Sequence, residues 1–164
     1  MRWIVWIVAA IAVIALVVVV VGYSLPTAHT ATRTVRLALP PEALYAVLSD
    51  VDRYPSWRPS VKSLVRAPDR EGRPAWVEDT GGMKIPMYFE RMDRPSLLVA
   101  RIADPSLPFG GTWTYRIAPA AGGSELTITE DGEVHNPIFR FMSRFVFGHH
   151  ATMDEFIKHL QARA

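Results

Sequence analysis

The chain opens on twenty consecutive apolar, uncharged residues, 3–22. A helix of about 20 residues rises about 30 Å, the thickness of a bilayer's hydrocarbon core. Trp3 and Trp6 stand at one end of the run and Tyr23 at the other, where aromatic rings favour the membrane–water interface. No polar face exists to meet water, which argues against a core helix of a soluble domain. A secretory signal has a shorter apolar core, about 7–15 residues, and a small-residue cleavage site. Here the run is longer, and Ala28-His29-Thr30-Ala31 is a poor cleavage site. Residues 1–23 therefore read as a single-pass transmembrane anchor, with membrane contact over 3–23. Arg2 favours an inside N-terminus, while Arg33 and Arg36 behind the span pull the other way. The expectation is a domain on the outer, extracytoplasmic side. The chain has no cysteine, which fits either compartment.

Residues 24–33 are small and polar, with Pro26, and read as a linker. Residues 34–164 then suffice for one domain with one core. The formal charge of +2 comes from 18 basic and 16 acidic residues. Without a basic run or a basic–aromatic stripe, no nucleic-acid partner is expected.

Residues 34–39 alternate, with Val35, Leu37 and Leu39 on one face, and predict a first strand. Pro40 ends it. Pro41 and Glu42 suit the first turn of a helix carrying Leu44, Tyr45, Val47 and Leu48. A second short helical or irregular stretch follows over 51–59. The period then drops to two, and strands are predicted at 61–67, 75–80, 84–92, 97–103, 112–118 and 124–134. Turn residues separate them, so neighbours are antiparallel. Residues 137–163 predict a long closing helix, bent at Gly148; a bulge at Gly132 would turn His135 and place Asn136 as its N-cap just before Pro137. The expected class is α+β: a seven-stranded antiparallel sheet curved around one C-terminal helix. That helix fills only part of the concavity, and the remaining gap is the expected site.

The segment Leu39-Pro40-Pro41-Glu42-Ala43-Leu44-Tyr45-Ala46-Val47-Leu48-Ser49-Asp50, with Tyr54-Pro55-Ser56-Trp57 behind it, resembles the opening of START-like, or SRPBCC, proteins. That superfamily includes the polyketide cyclase/dehydrase group and the birch-pollen-allergen-like lipid binders. Gly110-Gly111-Thr112-Trp113, Thr129-Glu130-Asp131-Gly132 and the closing helix fit the same pattern. The resemblance runs from about Arg33 to Leu160. It implies a helix-grip fold with an apolar cavity between sheet and last helix. Carriers and enzymes both occur in the superfamily, so the resemblance leaves the activity open.

At helical spacing Ile138, Met142, Phe145, His149, Met153, Phe156 and Leu160 share one face. The stripe reads as core packing, or as cavity lining over its first half. His149 interrupts it and is either a satisfied core residue or a base near neutrality. If Leu126 and Ile128 face inward, so does Glu130. A buried carboxylate must be paired, hydrogen-bonded or protonated. Glu130 is either paired with Arg101 or Arg140, or anchors a ligand head group. Gly132 permits a bulge that would break this alternation. Trp113 and the Tyr88 hydroxyl are further ligand-binding candidates. Phe109 is a gate, a membrane contact or a residue folded on the rim. The run 139–147, with Arg140 and Arg144, reads as a second membrane contact or as a helix buried on several sides. Metal-ligand spacing is absent, and no cofactor is expected.

The leading expectation is membrane-tethered binding of a hydrophobic small molecule: a lipid, an isoprenoid or a polyketide-like compound. Tyr88, Trp113, Glu130, Ile138, Met142, Phe145 and His149 would line its site. The alternatives are a cyclase or dehydratase using Glu130 and His149 as an acid/base pair, and a protein-interaction scaffold at the membrane.

Overall fold

The computed structural model describes residues 2–148 and 150–163. The apolar run forms α1 (Arg2–Ser24). Along most of its length it touches nothing, and large side chains such as Trp6 and Val5 are exposed. After three residues the chain enters β1 (Ala28–Leu37). This strand starts six residues ahead of the expected position, inside the stretch that reads as a linker. Backbone pairing explains this. β1 runs antiparallel to the last strand without a register shift, from Ala28 opposite Glu133 to Leu37 opposite Ser124. Threonine pairs support it from the outer face: Thr32 meets Thr129 at 3.2 Å and Thr34 meets Thr127 at 3.0 Å.

The remaining strands are β2 (Ser63–Arg70), β3 (Arg73–Asp79), β4 (Lys84–Asp93), β5 (Leu97–Ile102), β6 (Phe109–Ala120) and β7 (Gly123–Val134). They form one antiparallel sheet in the order β1-β7-β6-β5-β4-β3-β2. β1 and β2 therefore lie at opposite edges. The chain crosses between them through α2 (Pro41–Ser49), a 3-10 turn (Val51–Arg53) and α3 (Tyr54–Trp57). Pro41 and Glu42 open α2 as their chemistry requires. Leu44, Leu48 and Val51 are fully buried against the sheet. The architecture is the expected helix-grip arrangement.

The closing helical stretch departs from one continuous rod. Asn136 caps α4 (Pro137–Met142), its side chain accepting from the Ile138 and Phe139 N–H groups. A π turn (Ser143–Phe147) follows, the chain breaks at Gly148 with φ +74°, and α5 (Ala151–Gln161) resumes. α5 plugs the bowl, burying Met153, Phe156 and Leu160. A π turn advances the chain by more than 3.6 residues per turn, so the apolar stripe predicted over 138–160 loses phase at its middle. The bulge permitted by Gly132 does not form, and β6 and β7 pair in continuous register across it.

Candidate functional site

Alternation along each strand decides what faces the concave side. Trp76, Glu78, Ile85, Met87, Trp113 and Glu130 occupy paired positions on adjacent strands. They line a cavity of about 370 Å³ between the sheet and the C-terminal helices. Ile102 and Phe109 from the strands, and Phe139 and Ser143 from α4 and the π turn, complete much of the wall. Phe109 is thus the first residue of β6, turned into the cavity.

The lining also carries polar side chains, among them Thr112, Glu133 and Thr152, and two polar clusters stand out. The first is an ion pair. Arg58 Nη1 donates to Glu78 Oε1 at 3.0 Å and Nη2 donates to Oε2 at 3.4 Å. Trp76 Nε1 donates to the same Oε1 at 3.0 Å. The Glu78 side chain is 8% exposed and that of Arg58 18%. The guanidinium also lies 4.6 Å from the Tyr54 ring centroid and 5.3 Å from that of Phe156. Burial opposes its charge most strongly, but the Glu78 carboxylate together with the Tyr54 and Tyr115 hydroxyls outweighs it, and the Arg58 pKa is raised. Nearby, burial pushes the Tyr54 and Tyr115 hydroxyls upward. Tyr54 donates to the Leu48 carbonyl at 2.6 Å.

The second polar group is Glu130. Its carboxylate lies 3.8 Å from His29 Nε2. Burial raises its pKa, while the Trp113 indole donating to it pulls the other way. Such a carboxyl retains its proton to higher pH than an ordinary glutamate and can exchange it with a bound oxygen. Neither arginine suggested as its partner fills that role. Arg101 pairs with Glu90, and Arg140 donates to the carbonyls of Leu25 and His135.

Trp113 and Glu130 therefore line the cavity, while the other sequence candidates are distributed differently. Tyr88 points to the outer face, opposite Arg101, and lines a separate polar cleft with Arg70, Asp104 and His135. Its neighbour Met87 takes the inward position. Ile138 and Phe145 are 49% and 59% exposed. Neither they nor half-buried Met142 line the cavity; the phase slip described above gives that place to Phe139 and Ser143. His149 lies outside the described residues. Among the polar residues of the site that sequence reasoning missed are Glu78, His29 and Arg58. Glu78 was visible as the partner of Trp76 in strand alternation. His29 was hidden in the presumed linker, and Arg58 carried no pattern at all. Among the described residues, no group of three or more His, Cys, Asp or Glu side chains could hold a metal ion.

The model of the family described as polyketide cyclase / dehydrase and lipid transport matches residues 28–164. The chain belongs to this family. It is 46% identical over 61 residues to the granaticin polyketide synthase bifunctional cyclase/dehydratase of Streptomyces violaceoruber. That match covers 34% of this chain and 18% of the relative. Among solved structures, the di-domain ARO/CYC StfQ from the steffimycin biosynthetic pathway superposes with a TM-score of 0.66 at 17% identity. It covers 83% of this chain, which spans 50% of StfQ. A START superfamily protein from Mycobacterium smegmatis gives a TM-score of 0.64 at 17% identity, covering 82% and 96%. The Zhui aromatase/cyclase from Streptomyces sp. R1128 gives 0.63 at 13%, covering 83% and 93%. At these identities the structures establish the shared fold alone.

Proposed function

We propose that this family member binds a hydrophobic small molecule of lipid, isoprenoid or polyketide type, and that α1 tethers it to a membrane with the domain on the outer side. The observation that carries this reading is the cavity itself. Its walls are mainly aromatic and aliphatic, and polar side chains such as Glu78 and Glu130 sit at fixed positions where one polar end of a guest would be satisfied. Tethering would hold the domain where such guests partition. Mass spectrometry of a solvent extract of the purified full chain tests it, together with titration of the polycyclic probe 1-hydroxypyrene. Recovery of a defined apolar compound that competes with the probe is expected. An empty extract from protein that also fails to bind the probe refutes the reading. A C-terminal compartment reporter tests orientation, and activity confined to the cytoplasm would reverse the assignment.

A second reading is supported by Glu130. A carboxyl whose burial favours the protonated form, 3.8 Å from a histidine inside an apolar cavity, suits cyclase or dehydratase chemistry. Glu130→Gln should then abolish turnover of a polyketide substrate and leave 1-hydroxypyrene binding intact. Unchanged turnover would eliminate Glu130 as the acid/base.

A further inference from the structure

The end of α1 packs against α4, the helix whose Phe139 lines the cavity. Gly22 is buried against Pro137, and a Cβ at Gly22 would lie 2.0 Å from the Pro137 carbonyl oxygen. Arg140 clasps the junction. Its Nη1 donates to the Leu25 carbonyl at 2.8 Å, and its guanidinium lies 5.9 Å from the Tyr23 ring centroid. The same α4 and π turn present Phe139 and Ser143 to the cavity. Their other side carries Ile138, Phe145 and Val146, exposed by 49%, 59% and 58%, with exposed Arg144 among them. One short element thus touches the anchor, the cavity and an uncovered apolar patch.

The length of α1 fixes the depth of that patch. Its 23 residues rise about 34 Å, slightly more than the hydrocarbon core. With the span in place, Gly22 to Leu25 lie at its exit from the lipid, and Pro137 lies in contact with them. α4 is only 6 residues long, about 9 Å, so the patch cannot be far from the head groups. A basic residue among aromatic and aliphatic side chains is the composition of an interfacial segment.

We propose that α4 and the π turn lie on the bilayer interface and form a doorway through which an apolar guest passes between lipid and cavity. This rests on the reading of α1 as an anchor and of the cavity as a binding site. Arg140 and Gly22 are positioning residues, holding the doorway at the depth set by the span.

The chain has no cysteine, so single substitutions report single sites. Phe145→Cys, Val146→Cys, Val13→Cys and Val65→Cys, each carrying a nitrobenzoxadiazole label, are reconstituted as full chains into phosphatidylcholine/phosphatidylglycerol vesicles. Val65 is 66% exposed on β2, at the sheet edge. Quenching by acyl-chain spin-labelled lipid is expected at 13, 145 and 146 and not at 65. Quenching at 13 alone overturns the doorway and spares the anchor. Absence of quenching at 13 overturns the anchor and the doorway with it. Shielding of 145 from aqueous iodide without lipid quenching assigns the patch to a second copy and overturns the proposal. In a transfer assay, the Phe145→Asp, Val146→Asp double variant should take 1-hydroxypyrene from vesicles about tenfold more slowly, for the loss of one large side chain's worth of apolar burial. Its equilibrium binding in detergent should be unchanged. An unaltered transfer rate at intact binding refutes passage through this element.

Discussion

Arg58→Met should destabilise the fold out of proportion to the size of the change. The substitution keeps an unbranched apolar stem but removes both donors that Arg58 gives to Glu78. A carboxylate 8% exposed would be left with the Trp76 indole as its remaining donor. Breaking a buried pair by deleting one partner costs about 3–5 kcal/mol, because the survivor is desolvated without compensation. The Trp76 bond and the 18% exposure of Arg58 place this case at the lower end, about 3 kcal/mol. For a chain of this size that corresponds to a fall in Tm of about 6–12 °C. Adding Glu78→Gln removes the orphaned charge while keeping an acceptor for Trp76, so the double variant should recover at least half of the loss. Urea and thermal unfolding of the full chain in detergent, followed by circular dichroism, measure both effects. A cost below about 1 kcal/mol for Arg58→Met, or strict additivity in the double variant, would refute the argument that the pair is coupled and desolvated.

Glu130→Gln should change how stability depends on pH. Burial raises the folded-state pKa of Glu130, so its contribution is fully present below the unfolded value and is lost as pH rises through the folded one. The glutamine variant lacks that loss, and its stability relative to wild type should improve from acid toward neutral pH; a pH-independent difference in urea midpoint contradicts this. Phe156→Ala should cost about 3–5 kcal/mol, since the ring is 5% exposed and packs on Trp57, Trp113 and Tyr115 at centroid distances of 5.4–5.7 Å. A loss under about 1 kcal/mol in the same unfolding assay would show that α5 does not fasten the bowl.

Most of the sheet was legible from period-two alternation in the sequence and turn residues between runs, and burial alternates most clearly along β7 and the second half of β6. The first strand was legible only in its second half. Val35 and Leu37 alternate with polar residues, whereas Ala28 to Arg33 carry too little apolar contrast, and their extended form depends on β7 far along the chain. Alternation also separates two faces without saying which is concave. Tyr88 and Met87 were therefore distinguishable as opposites but not assignable, and the hydroxyl-bearing member went to the outer face. In the closing stretch, helical periodicity held for Met153, Phe156 and Leu160 and failed for Ile138 and Phe145. A π turn and a left-handed glycine reset the phase between them, and neither leaves a hydropathy signature. Glu130 and Trp113 reach the cavity because they sit opposite each other in register, and for Trp113 alternation alone left the concave face open. Arg58 was missed, because it ends a four-residue helix where no period exists.

The strand that leaves α1 finds its neighbour at the other end of the chain, with Ala28 opposite Glu133. During synthesis the apolar helix emerges ahead of the sheet, and its adjoining strand must wait until β7 has been made before it has anything to pair with. Long-range pairing of this kind slows folding and leaves an unpaired edge exposed meanwhile. Any truncation that removes β7 would therefore strand the membrane-proximal segment as a sticky, unmatched ribbon, whatever remains intact between the two.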